Sequence, residues 1–578
     1  MAKRPNGAEW RSWTGSLALA CTLALFLGGC SSAHYQKSAD KQVYSLVAQV
    51  EQQLFGHTNA FSINTPWSSR APSSITPQEL ITDRYQTNTR TITIDDALWL
   101  SVTNSRRYQT AKEQLYLTAL TLTGEKHAFT PNFFATITGN YDRSANGDQI
   151  GSVNTRLGVS QLLATGGKVG VNLANDLLRY YTGDPRRLAV SVMSLNFTQP
   201  LLRGFGPNSS AVESLTQAER NTIYAVRTYS YFQNQWALEI ANDYFRLLAQ
   251  RDIIRNRYTN YLGRVQSTQR LEARKRADRE SVNAVDQARQ SELTSKDNYV
   301  NSLANYLNSL DDFKIKLGLP PGERVRLADE PLQELLQAGL LPVSLDKTAA
   351  YRLATERQLL ILNAIDQFED SQRKVRVSAD KLKPGLNFFA DASLESERPV
   401  DYANFDPKNW RGGVGVELNL PLDRLAERNN YRATLVSFES QLRSFTLTLD
   451  NLQANVDRAV RTLEQRRQNY EIQRNALTLA DRRVTSTGLL LQAGRADIRD
   501  LVDAQDAQIN AQNQVVAAQV AYQEARLQLL LDLGVLDTTP PQFWLKDHLP
   551  ADMVPKVARP ALDLPREQLI PPDIFFNR

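Results

Sequence analysis

The sequence predicts a mainly α-helical chain with a β-barrel part, built from two copies of a helix–strands–long-helical-hairpin pattern. Three observations predict it. Residues 211–317 and 430–533 contain no proline and repeat apolar residues at three- and four-residue spacings. Ahead of each lie runs that alternate apolar and polar residues, the period of a strand with two unlike faces. Past residue 29 there is no apolar run of about 20 residues, which excludes a polytopic helical membrane protein.

Composition narrows the class further. The 578 residues include 27 Gly and 24 Pro, too few for a collagen-like or low-complexity chain. Two cysteines exclude a disulfide scaffold, and His34, His57, His127 and His548 are not spaced as metal ligands. Net charge is +5, from 67 basic and 62 acidic residues, so the total carries no nucleic-acid footprint. No nucleophile–base pair or metal set is visible, and neither an enzyme nor a cofactor is expected.

The first element is an address. Lys3, Arg4 and Arg11 precede an uncharged, mostly apolar run from Ser16 to Gly29, as in a bacterial secretory signal. The run ends Leu27-Gly28-Gly29-Cys30-Ser31, which resembles the bacterial lipoprotein box. That resemblance implies cleavage after residue 29, acylation of Cys30 (with diacylglyceryl and palmitate groups) and, because Ser31 is not aspartate, delivery to the outer membrane. The alternative is an ordinary signal with a chance cysteine. Residues 30–90 and 538–578 hold much of the remaining proline and read as extended segments.

The first repeat spans 91–318 and the second 340–534. Ile94-Asp95-Asp96-Ala97-Leu98 and Leu345-Asp346-Lys347-Thr348-Ala349 each open a helix, aspartate before an apolar run being a start signal. Arg106 matches Arg357 at an offset of 251, whereas Gln199-Pro200-Leu201 matches Leu420-Pro421-Leu422 at 221. The first repeat therefore holds about 30 extra residues between helix and hairpin, enough for one more β-hairpin. Strands fall at about 131–200 and 384–421. Val153, Thr155, Leu157 and Val159 alternate with polar or small residues, as do Val169, Val171 and Leu173 after the turn Thr165-Gly166-Gly167. In the second repeat Leu386, Phe388, Ala390 and Ala392 alternate, then Val414, Val416, Leu418 and Leu420. Six strands of this kind fit a transmembrane β-barrel, with Asn146-Gly147-Asp148 and Thr182-Gly183-Asp184-Pro185 in long outer loops. The competing fold is a soluble β-sandwich, whose apolar face would be buried.

The helical hairpins 211–317 and 430–533 follow, each ending at Leu-Gly: Leu317-Gly318 and Leu533-Gly534. The second breaks at Gly488-to-Gly494. The first has Arg274-Lys275-Arg276-Ala277-Asp278 where Ala493-Gly494-Arg495-Ala496-Asp497 stands, at an offset of 219. Helices this long need helical partners.

Over residues 90–540 this order resembles the TolC-like outer-membrane efflux proteins, exit ducts of tripartite efflux pumps and type I secretion systems. The likeness rests on the duplicated order, Gln199-Pro200-Leu201, the stretch from Gly494 through Ala504 and the lipoprotein start. It implies a homotrimer whose transmembrane β-barrel, of 12 strands in the family, is continued by a periplasmic α-helical barrel; six strands per chain depart from that. It implies a periplasmic adaptor and an inner-membrane pump or ATP-driven transporter as partners, outer-membrane lipid around the barrel and no nucleic acid. It also implies a pore constriction at Asp500 and Asp503, which share a helix face at this spacing. Ser281 and Ala284 stand at the matching places in the first repeat. The other reading of the two aspartates is that of ordinary acids at a helix start. At the basic tips, Arg276, Gly494 and Arg495 suggest adaptor docking, or pairs between protomers that hold the tip shut, with a solvated helix face as the alternative. A lipid-anchored periplasmic coiled-coil spacer without a pore is the competing function. The strand faces separate the two, since only a duct needs apolar side chains at Leu386, Phe388, Val414, Val416 and Leu418. The exported cargo is not written in the sequence.

Overall fold

The computed structural model describes residues 32–85, 88–143, 149–180, 187–343, 345–397, 404–493 and 495–549, with the side chains of 176–180, 187–189 and 498 left aside. Cys30, Gly494, the loop stretches 146–148 and 182–185, and the tail from 550 therefore lie outside the described residues. The chain forms two units. One holds residues up to Ala71, Gln109–Ser230 and Asn363–Thr446; the other holds Pro72–Tyr108, Tyr231–Leu362 and the residues from Leu447.

The proline count suggests an extended stretch over 30–90, but the structure has a 24-residue helix, α1 (Ser32–Phe55). Prolines begin only at Pro66, and Val43, Leu46 and Val47 recur at helical spacing and are buried. α1 is anchored where the Tyr116 hydroxyl donates to Asp40 at 2.8 Å. A short helix, α2 (Pro77–Arg84), follows, with Thr76 as its N-cap.

Next come β1 (Thr89–Ile92), α3 (Ile94–Asn104) and α4 (Arg106–His127). After them stand β2 (Asn132–Arg143), β3 (Gln149–Leu162), β4 (Lys168–Tyr180) and β5 (Arg187–Pro200). The first hairpin is α5 (Ser210–Arg276) and α6 (Val282–Lys316). A linker of β6 (Arg324–Leu327) and α7 (Glu330–Ala338) leads to α8 (Lys347–Arg357), α9 (Leu359–Asp380), β7 (Gly385–Ser396) and β8 (Phe405–Asn419). The second hairpin is α10 (Leu425–Gln492) and α11 (Ile498–Asp532). No helix among the described residues is long and apolar enough to cross a membrane.

The repeat register differs from the sequence match by two residues at its start. Thr93 caps α3 and Asp346 caps α8, each side chain accepting a backbone N–H of the first turn. α3 ends at Ser105 (φ −68°, ψ 128°) and α8 at Gln358 (φ −70°, ψ 117°), both extended. These pairs are 253 apart, not 251, so Arg106 is not the counterpart of Arg357. The hairpins end alike. Gly318 (φ +77°) and Gly534 (φ +72°) take the left-handed conformation, and the next N–H closes back five residues, Leu319 to Lys314 and Val535 to Leu530. This helix stop favours glycine because a Cβ is penalised at positive φ.

The second unit is organised around an apolar core containing Ile92, Trp236, Tyr244, Phe313, Leu527 and Trp544. β1 pairs in parallel with β6 there. The Tyr244 hydroxyl lies 3.1 and 3.0 Å from the carbonyls of Ile92 and Ala328, holding the two strand ends to α5. Residues 538–549, expected as part of an extended tail, belong to this core. Phe543 and Trp544 are buried, and the buried Arg526 donates to the Trp544 carbonyl at 3.2 Å.

Candidate functional site

The first unit presents a six-stranded antiparallel sheet in the order β2-β3-β4-β5-β7-β8. Because side chains alternate across a strand, the pairing register decides which share a face. Phe133 stands opposite Val159, Val159 opposite Val171, Val171 opposite Leu195, Leu195 opposite Ala392 and Phe388 opposite Val416. One face is therefore apolar from edge to edge, and Leu386 and Leu418 pair on it. It carries no charged side chain along β2 from Phe133 to Tyr141 or along β8 from Trp410 to Leu418. The opposite face is polar, with Arg156, Asn172, Asn196, Asp391 and Glu417 on it. On that polar face Phe134 lies over Gly158 and Phe389 over Gly415, where a Cβ would collide with each ring.

The apolar face is not a core. Phe133 is 83% exposed, Val414 77% and Val416 61%, whereas a soluble sandwich would bury them. So large an uncovered apolar surface marks an interaction with a membrane or a partner. A membrane-facing sheet needs this outward apolar band and an inward polar one.

The second unit holds the hairpin tips. α5 stops at Asp278 (φ +54°), one of few non-glycine residues at positive φ. The N–H of Arg279 closes back to the Arg274 carbonyl at 2.9 Å, and that of Arg495 to the Leu490 carbonyl at 2.8 Å. These closures are 216 apart, so Asp278, not Lys275, is the counterpart of position 494. Asp can take this conformation because its short polar side chain tolerates it better than most. With that register Ser281 matches Asp497, both N-caps, and Ala284 and Gln287 match Asp500 and Asp503.

Asp500 is exposed and completes the capping box of α11, its carboxylate accepting the Asp497 N–H at 3.1 Å. Asp503 is exposed one turn on, 4.0 Å from Arg499. Arg276 ends α5 with its Nε 3.4 Å from the Glu272 carbonyl, and like Arg495 it is exposed. The sequence reading missed the clamp behind the tip. Arg264, 6% exposed, pairs with Asp506 and donates to the Val502 carbonyl at 3.3 Å. Asn260 donates to Asp506 and Asn256 to Asn513, both at 2.7 Å. Asn256, Asn260 and Arg264 recur every fourth residue, a polar stripe that could have flagged this contact between α5 and α11. Among the described residues no group of three His, Cys, Asp or Glu side chains could hold a metal ion.

No family model and no curated protein matches the sequence. Solved structures do match. The Campylobacter jejuni CmeC outer membrane channel is 13% identical, with a TM-score of 0.55 over 82% of this chain and 92% of that one. The Neisseria gonorrhoeae MtrE outer membrane channel, in its open state, is 13% identical, with a TM-score of 0.54 over 76% and 88%. The Vibrio cholerae outer membrane protein VceC is 14% identical, with a TM-score of 0.55 over 76% and 96%. The chain has the TolC-like fold of these outer-membrane channels.

Proposed function

We propose that the chain is one subunit of a homotrimeric outer-membrane exit duct, lipid-anchored at Cys30. Its transmembrane β-barrel continues into a periplasmic α-helical barrel. It lets small molecules or protein pass without doing chemistry on them, as the outer part of a tripartite efflux pump or type I secretion system. A periplasmic adaptor and an inner-membrane pump or ATP-driven transporter are its partners, and the exposed Arg276 and Arg495 at the tips are available for the adaptor. Asp500 and Asp503 ring the periplasmic entrance and gate it. The observation that carries this reading is the uncovered apolar face running across all six strands. A pore-free spacer has no use for it. The shared fold with the CmeC and MtrE channels supports the same reading.

Reconstitution tests it. The purified protein in planar bilayers should give stepwise conductance. An arginine on the lipid face near the bilayer midplane costs roughly 2–4 kcal/mol per chain. Val416→Arg should therefore block assembly in the outer membrane, while Glu417→Gln, on the polar face, should assemble normally. A protein that gives no conductance, and whose Val416→Arg variant behaves as the parent, is a spacer.

A further inference from the structure

The sheet ends on two open edges. Among the described residues β2 pairs only with β3, and β8 only with β7. Both edge strands are exposed on both faces along most of their length, whereas β3 and β7 are mostly half-buried. Open edges cannot stand in hydrocarbon, where unpaired backbone N–H and C=O groups find no water. Six strands also fall short of the roughly eight in the smallest outer-membrane barrels, so one copy does not close on itself.

The chain carries a template for closing these edges. The β5–β7 pair joins the last strand of the first repeat to the first strand of the second. β7 is the counterpart of β2 at the offset of 253, which carries Asn132–Arg143 onto Gly385–Ser396. β8 is the counterpart of β5 at the offset of 221, which carries Pro200 onto Pro421. The free edges β8 and β2 are thus a second, unjoined instance of the pair β5 and β7.

We infer that β8 of one copy pairs antiparallel with β2 of the next, in the register of the β5–β7 pair. The inference rests on the three-copy channel reading and makes the barrel one of eighteen strands, six from each copy. Within the chain Phe197 stands opposite Ala390 and Thr198 opposite Phe389. Transferred by the two offsets, Leu418 faces Ile137 of the next copy and Asn419 faces Thr136 of the next copy. Apolar thus meets apolar on the outer face and polar meets polar on the inner one. A shift by one residue would break both. The prolines fit as well. The Leu201 N–H donates to the Leu386 carbonyl at 2.7 Å, so the neighbouring pair, Pro200 and Asn387, needs no hydrogen bond from its proline nitrogen. Pro421 takes the same place at the seam between copies. Barrel diameter grows about linearly with strand number, so this bore is about one and a half times that of a 12-stranded barrel. It suits bulky, hydrated cargo.

Asn419 and Thr136 fall at a non-hydrogen-bonded site, where facing Cβ atoms approach closely enough for a disulfide. Both are exposed, on the polar face. Thr136→Cys/Asn419→Cys in the full-length protein, oxidised in outer membranes, should give a covalent trimer on non-reducing gels, and each single variant should give none. Thr136→Cys/Glu417→Cys, two residues out of register, should link weakly. Native mass in detergent counts copies independently of the link. Three copies with no 136–419 link, or with 136–417 as the stronger link, overturn the seam. A mass other than three copies, with the 136–419 link present, overturns the three-copy reading and keeps the seam.

Discussion

The Tyr224 hydroxyl donates to the Asp370 carboxylate at 2.7 Å, at the centre of a network that ties α5 to α9. Arg220, Arg373 and Gln217 donate to the same carboxylate at 2.6, 2.8 and 3.1 Å. Burial pushes the Asp370 pKa up, but the hydrogen bonds from Tyr224, Arg220, Gln217 and Arg373 outweigh it and hold the group below its ordinary 3.8. A carboxylate held low stabilises the fold fully above its unfolded pKa and loses that contribution as pH falls through the folded one. Thermal stability in detergent should therefore decline below about pH 4, and less steeply in Asp370→Asn. Removing one partner of a buried charge network costs about 3 kcal/mol, so the variant should also melt earlier at pH 7. Equal midpoints at pH 7 would mean that the network contributes nothing net.

Gly318 and Gly339 both have positive φ, at +77° and +67°, but in different surroundings. A Cβ on Gly318 would collide with the Asn104 backbone, whereas one on Gly339 meets nothing. Gly339→Ala should cost only the conformational penalty of a backbone at φ +67° and ψ −151°, a region open essentially to glycine, on the order of 1–3 kcal/mol. Gly318→Ala should cost clearly more, because the stop of α6 must part from the end of α3. Denaturation midpoints of the two variants check this, and equal losses would show that Asn104 yields freely.

That contact also explains what the sequence could and could not tell. The order of elements was legible because proline-free runs, Leu-Gly stops and alternating strands are local signals. The two-residue error in the repeat register came from the kinks at Ser105 and Gln358, whose side chains share no pattern. Each kink lies beside a helix stop about 200 residues away, Gly318 against Asn104 and Gly534 against Arg357. Helix α1 was hidden because its buried valines and leucine cluster within five residues at its middle, ahead of a proline-rich stretch. The left-handed residue that ends α5 is an aspartate, so a search for glycine passes over Asp278. The Arg264–Asp506 clamp joins α5 to α11; the polar stripe of Asn256, Asn260 and Arg264 marks the α5 side of that contact, but no local pattern names its partner about 240 residues away.

Acylation at Cys30 is testable by mass. The mature N-terminus should be a diacylglyceryl cysteine, and an uncleaved or unmodified N-terminus would remove the anchor from the proposal. A closed barrel inserts by its own apolar band, whereas an acyl chain adds only reversible binding. Cys30→Ala behind a replacement signal should therefore still deliver oligomers to the outer membrane, as fractionation would report.

The gate needs a test that respects what Asp500 already does. In the proposed three-copy duct, Asp500 and Asp503 would bring six carboxylates to one entrance, a site expected to attract polyvalent cations from the periplasmic side. Asp500 also closes the capping box of α11 by accepting the Asp497 N–H. Replacing it with alanine would remove a cap worth about 1 kcal/mol along with the charge, and a change in conductance could then come from a frayed helix. Glutamine at this third helical position can still reach back to the N-cap N–H. Asp500→Gln/Asp503→Asn therefore removes six charges from the entrance while leaving the helix start closed. This variant should keep the oligomer and its melting midpoint, and resist block by a trivalent cation added on the periplasmic side in planar bilayers. Asp503→Asn alone should weaken block without touching the cap. If block is unchanged in the double variant, the two aspartates only start a helix, and the constriction lies elsewhere along the duct.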